Sequence, residues 1–285
     1  GILSIFFLFL CINNAKNTSV FFNLSKPTHI YYYDFDGDGQ KDALTISEIN
    51  NYYEIKIETS NKDYILHCSN INFLTICPYY DLKVNILDLS RDNIPEIILS
   101  NYYNNSCEYC IFKWNGSNFD NIFCCNDNML GIMDSNNSRT PLLLKTNFLN
   151  NNNFSCYFLD NNTIKEVSAN CSNIYSLDEV SKFIDLIEYP YEPAELPDIF
   201  IPNISSDELK IFWNLDKDNY EYKFQSAYFY DNDWNSSGYP SSILWTLSFQ
   251  KINRNDANKP SKEMLIYLTT NIDYLNHYNI SSISW

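Results

Sequence analysis

Apolar and polar residues alternate through "YYEIKIET" (residues 52–59), as expected for a strand with one buried face. Upstream, "HIYYYDF" and "ALTIS" are rich in β-branched and aromatic residues and read as two more strands. The polar stretch between them, "DFDGDGQKDAL", is punctuated by glycine and therefore joins strands, not helices. Further along, "EYCIFKWNGSNFDNIF" and "LKIFWNLDKDNYEYKF" read as hairpins that turn near Asn, Gly or Asp. Helical spacing is confined to a short piece around "SLDEVSKF". These patterns predict an all-β chain.

The strand–acidic loop–strand frame recurs. "VNILDLSRDNIPEIILS" places Asp88, Ser90, Asp92 and Glu96 where Asp34, Asp36, Asp38 and Asp42 stand in the first copy. Further copies begin at Asp134, at Asp185 (with extra residues before a closing Asp198) and at Asp231. Successive copies lie 46 to 54 residues apart. Several short strands repeated at that period predict a β-propeller, here with five recognisable blades. "TSVFFNLS" near the start is expected to add a strand to the last blade and close the circle.

The first loop carries the chemistry. Asp34, Asp36 and Asp38 fall at positions one, three and five, the Gln40 carbonyl at seven and Asp42 at nine. Alternating hard oxygen donors, with Gly37 and Gly39 letting the backbone curl, suit Ca2+. An EF-hand would need Glu at position twelve and flanking helices; that position is Thr45 and the flanks are strands. The competing reading is a solvated Asp/Gly turn. Asp88, Ser90, Asp92 and Glu96 form a second, weaker candidate, because Arg91 intrudes and both glycines are missing. The third copy has Leu142 at position nine and is expected to bind nothing, with Arg139 standing in for an ion. Such a site would be structural, fixing the turn of a blade.

Composition narrows the setting. A chain of 285 residues, 45% of them hydrophobic, can bury a large core as one large domain or two small ones. Its net charge of −16 argues against nucleic acid or anionic membrane as partner and is compatible with cation binding. The apolar run Ile2–Ile12 reads as a signal peptide over residues 1–15, with residues 16–285 as the mature ectodomain; a buried N-terminal strand is the alternative. Outside that run eight cysteines remain: Cys68, Cys77, Cys107, Cys110, Cys124, Cys125, Cys156 and Cys171. An even set fits disulfides in an oxidising compartment. Local spacing suggests Cys68–Cys77 and Cys156–Cys171, with Cys107 and Cys110 pairing to Cys124 and Cys125. Zinc at Cys107-x-x-Cys110 is the rival, weakened by the lack of a second CxxC. Among many Asn-x-Ser/Thr sequons, Asn104, Asn115, Asn153, Asn203 and Asn235 are candidate glycosylation sites.

The frame "DFDGDGQKDAL" resembles the FG-GAP (VCBS) repeat of integrin-alpha-type propellers. The order "FIDL…LPDIFI", "KIFWNLD", "SAYFYDND" looks like the ectodomain of the T-cell immunomodulatory protein family, over roughly Ser19 to Thr270. That resemblance implies a cell-surface glycoprotein ectodomain, single-pass in its full form. The further repeats and C-terminal anchor of such proteins are not in this sequence, which suggests a fragment or a shortened relative. The implied function is non-catalytic: a secreted or membrane-tethered, calcium-binding propeller that binds a cell-surface or extracellular protein. The alternative is a carbohydrate-binding propeller presenting Trp114, Trp213 and Trp234, which otherwise would pack between blades. Glycan-acting enzyme chemistry ranks last. There is no GxSxG, HExxH or phosphate loop, and His29, His67 and His277 stand isolated.

Overall fold

A computed structural model describes residues 22–23, 30–70, 72–134, 140–148, 154–167, 176–189, 197–237, 239–256 and 258–285. The expected signal peptide (1–15), Asn153, Cys171 and Arg139 lie outside these residues. The chain is mostly β-sheet.

Four consecutive antiparallel meanders, each of four strands, make up the fold. The first is β2 (Ile30–Tyr33), β3 (Asp42–Ile49), β4 (Tyr52–Glu58) and β5 (Asp63–Ile65); the second is β6 (Lys83–Leu87), β7 (Glu96–Tyr103), β8 (Ser106–Trp114) and β9 (Phe119–Cys125). The third comprises β10 (Met129–Met133), β11 (Leu142–Thr146), β12 (Ser155–Asp160) and β13 (Thr163–Glu166); the fourth, β14 (Tyr220–Trp234), β15 (Pro240–Asn253), β16 (Lys262–Ile272) and β17 (Tyr278–Ser284). Parallel pairing of β10 with β14 joins the last two meanders into one eight-stranded sheet.

The cores alternate with the sheets. Leu44, Ile55 and Ile57 of the first meander pack against Val84, Ile97, Leu99 and Phe112 of the second. The opposite face of the second, with Ile98, Tyr109 and Ile111, packs on Leu130, Ile132 and Leu143 of the third. β7 is therefore buried on both faces, which is why "EIILS" reads as a continuous apolar run and not as an alternation. A third core joins the third and fourth meanders around a helix, α1 (Leu177–Glu188), whose Val180, Phe183, Ile184 and Ile187 are buried.

Several expectations are corrected here. Asp185 lies inside α1, not in an acidic loop between strands. Apolar residues at 177, 180, 183, 184 and 187 share one helical face, and the short run "FIDLI" alone does not separate helix from buried strand. "LKIFWNLDKDNYEYKF" is not a hairpin. It holds the end of α2 (Ser206–Leu209), then α3 (Ile211–Asn214), before β14 begins. Ser205 starts α2 with a capping box, accepting from Glu208 N while Glu208 reaches back to the Ser205 N–H. Asp231 sits within β14 at a register shift; the turn comes later, at Asn235–Tyr239. Five expected repeats thus become four meanders. β1 (Phe22–Asn23) pairs with β6 of the second meander, not with the last one, and no closed ring is found among the described residues. No helix among them is long and apolar enough to cross a membrane.

Candidate metal centre

The loop between β2 and β3 is organised by its own carboxylates. Asp34 accepts from the Gly37 and Gly39 N–H groups at 2.7 and 2.9 Å. Asp42, 2% exposed at the start of β3, accepts from Phe35 N at 2.7 Å and Asp36 N at 3.3 Å through Oδ2. Gly37 and Gly39 both have positive φ, at 77° and 86°.

The loop between β6 and β7 repeats this geometry. Asp88 accepts from Asp92 N and Asn93 N, and Glu96 accepts from Leu89 N at 2.6 Å and Ser90 N at 3.3 Å. Arg91 and Asn93 take the two positive-φ positions, at 59° and 68°. The frame is therefore a real structural repeat, kept even where its glycines are gone. The two loops touch, because Gly37 lies directly under Ile94 of the second.

Their difference is the cation. In the second loop Lys113 Nζ lies 2.8 Å from Ser90 Oγ, 2.8 Å from Asp92 Oδ2 and 2.7 Å from Glu96 Oε1. Burial works against the charge on Lys113, but its hydrogen bonds to Asp92 and Glu96 outweigh that and hold the amine above its ordinary value. Asp92, Ser90 and Glu96 do converge as the sequence suggests, yet on an ammonium. Asp88 is left to brace the backbone. The second candidate site is corrected accordingly: a side chain already stands where the ion was expected.

Among the described residues, no lysine or arginine forms an ion pair with Asp34, Asp36 or Asp42 of the first loop. The position one step beyond the Ala43–Glu58 pair, which corresponds to Lys113, is Thr59. Ligand oxygens of Asp34, Asp36 and Asp42 lie within 4.8 Å of one another, so this cluster could hold a metal ion. Asp42 Oδ1 is buried and makes no hydrogen bond. Burial raises the Asp42 carboxyl, opposed by the Phe35 N–H and helped by the nearby Asp36 charge. Asp38 is turned aside: Ser60 Oγ donates to it at 2.6 Å and Gln40 N at 2.7 Å, and these bonds lower its pKa. Of the five expected ligands, three carboxylates are brought together; Asp38 is engaged elsewhere and Gln40 is exposed.

At the third frame Asp134 pairs with Arg91 of the second loop, and its N–H donates to both oxygens of Asp231 at 2.9 and 3.0 Å. Burial pushes Asp231 up to about 6. Asp134 thus links the second loop to β14.

Cys110 and Cys124 form a disulfide across the directly opposed β8–β9 pair. Cys156 is disulfide-bonded as well. Cys68 and Cys77 are free, against expectation, as are the buried Cys107 and Cys125. Cys125 faces Tyr109 across the ladder, so Cys107 stands two residues out of register with it. Zinc at Cys107-x-x-Cys110 also fails: three residues apart on a strand, they point to opposite faces and lie in different cores. Asn104, Asn115 and Asn203 are exposed and Asn235 is half-buried at its turn. Trp114 packs between the first two meanders against Tyr64 and Phe119, whereas Trp213 and Trp234 are 55% and 45% exposed and do not pack between sheets. His67 and His277 are exposed.

Lys113, Ser60 and Ile94 were not legible as site residues. Only the strand register and the contact between loops bring them in. Comparison with known proteins finds no matching family model and no matching curated protein.

Proposed function

We propose that the chain is a calcium-binding, FG-GAP-type β-propeller ectodomain, secreted or tethered to a membrane, that engages a cell-surface or extracellular protein without catalysis. The observation that carries the metal reading is the Asp42 carboxylate. It is 2% exposed, one oxygen lacks a partner, and Asp34 and Asp36 stand beside it. Carboxylates so placed need a counter-charge, and the sister loop shows the equivalent oxygen holding one. All the donors are hard oxygens, which suits Ca2+ and not zinc. Asp34, Asp36 and Asp42 would hold the ion, with Asp38 joining on release of Ser60. The ion supplies charge neutralisation, and its role is to fix the first loop against Ile94. Four successive four-stranded meanders, the first three packed face to face, support the propeller reading.

Melting curves with calcium and with chelator test the metal. Ion binding to the folded state alone stabilises by ~2.7 kcal/mol when free ion is a hundred times the dissociation constant. Asp36→Asn keeps an oxygen for the Asp38 N–H and should abolish that calcium response. A solvated turn predicts no calcium response in either protein and an equal or higher melting temperature for the variant. Pull-down from cell surfaces tests the partner. The exposed Trp213 and Trp234 favour one second reading, sugar binding, which specific glycan-array signals lost in Trp213→Ala or Trp234→Ala would support.

A further inference from the structure

We infer that the junction between the second and fourth meanders is an acid-tightened latch, in which the cluster of Asp81, Lys83 and Glu263 takes up a proton on mild acidification and holds the two meanders more firmly. The cluster is built across the junction. Lys83 of β6 is buried, and its Nζ lies 2.5 Å from Glu263 Oε1 of β16 and 3.3 Å from the Asp81 carbonyl. The Asp81 N–H donates to the other Glu263 oxygen at 3.1 Å, so the backbone at position 81 clasps both members of the ion pair. Tyr80 completes the junction: its ring carries Lys83, and its hydroxyl bridges Ser100 of β7 and Ser226 of β14 at 2.9 and 3.0 Å. Two carboxylates thus share one ammonium, and the Lys83 and Glu263 side chains are only 2% and 9% exposed.

At neutral pH this arrangement carries one negative charge in excess, which is costly where bulk water does not screen it. Asp81 is the member that relieves it. Its carboxyl is half-buried and is pushed from 3.8 up to about 6, first by burial and then by Glu263, against Lys83, with Glu48 of β3 adding to the rise. The other titratable groups around the cluster are Tyr53 of β4, Cys77 and Tyr80 of the segment before β6, and Cys107 of β8. All four are held above their ordinary values by burial, so they stay neutral and leave the carboxyls to take the proton. The folded chain therefore binds this proton more tightly than the unfolded chain. Stability from Asp81 is lost as pH rises through about 6 and regained on acidification. Between pH 7.5 and pH 5 the group shifts the folding equilibrium by up to about tenfold.

The latch depends on neither calcium nor a partner, so the whole chain alone tests it. Melting temperatures are read from pH 5 to pH 7.5 for the wild type, for Asp81→Asn and for Asp218→Asn. The last removes an exposed carboxylate and controls for simple charge removal from a chain of net charge −16. Asp81→Asn keeps both backbone contacts and fixes the neutral state. It should melt above the wild type at pH 7.5 and meet it at pH 5, while Asp218→Asn runs parallel to the wild type. Asp231, also pushed up to about 6, gives a response common to all three proteins that cancels in the comparison. In the Lys83→Met/Glu263→Gln background, where the shared ammonium and its other carboxylate are gone, the gain from Asp81→Asn should shrink. Carbon-13 titration of the Asp81 carboxyl in the wild type should show a midpoint near 6. An Asp81→Asn protein that melts at or below the wild type at pH 7.5, or whose gap does not change with pH, would overturn the inference. So would a gain undiminished in the double-variant background, or an Asp81 midpoint in the ordinary carboxylate range.

Discussion

At Gly37 an added Cβ would lie 2.6 Å from Ile94 Cδ1, while at Gly39 it would meet nothing within 4 Å. Both residues have positive φ, so alanine at either costs about 1–2 kcal/mol in backbone strain. Gly37→Ala must in addition displace Ile94 and loosen the contact between the two acidic loops. Urea unfolding should therefore rank Gly37→Ala clearly below Gly39→Ala. Equal losses would show that the Ile94 contact carries no weight. Arg91 and Asn93, at the matching positions of the second loop, show that the frame tolerates non-glycine residues at positive φ. The glycines were legible in the sequence. The reason that one of them matters more is not, because Ile94 lies 57 positions away in the chain.

Among the elements, β8 and β9 are tied by Cys110–Cys124, which encloses 14 residues of sequence separation. A loop of that size corresponds to about 3 kcal/mol in the chain-entropy account of disulfides. The Cys110→Ala/Cys124→Ala protein should lose roughly that much in equilibrium unfolding, and the response to reducing agent that remains should be that of the Cys156 disulfide. A full-sized response to reductant in the double variant would place the main cross-link elsewhere. Strand existence was well predicted wherever alternation and turn chemistry agreed, as in β3, β4, β8 and β9. Two of the failures were of one kind. Short apolar runs at 183–187 and 209–213 carry too few residues to separate periods of 2.0 and 3.6, and packing decided them as helix.

In the whole molecule, the second and fourth meanders meet through a buried ion pair. Lys83 Nζ lies 2.5 Å from Glu263 Oε1 and over the Tyr80 ring, 3.2 Å from its centre, while Ser248 Oγ and Asp81 N also donate to Glu263. Burial holds the Lys83 amine below its ordinary value, opposed by Glu263. Breaking such a pair by removing one partner costs about 3–5 kcal/mol, whereas replacing both can be near neutral. Lys83→Met should be strongly destabilised and Lys83→Met/Glu263→Gln much less so. Additive losses in that cycle would show the two residues to be uncoupled.

By itself the sequence determined the mostly-β class, the strands that flank the first two acidic loops, and the carboxylate frame at 34–42 and 88–96. These are short-range properties: side-chain period, turn residues and oxygen spacing are written within about ten positions. Tertiary structure decided which oxygens keep a free valence and which meet a lysine, since Glu96 and Lys113 come together only through the β7–β8 register. It also decided that Cys110 rather than Cys107 faces Cys124, and that Arg91 answers Asp134. In each case the deciding quantity is a distance between strands or loops, set by packing of distant segments, which no local pattern encodes.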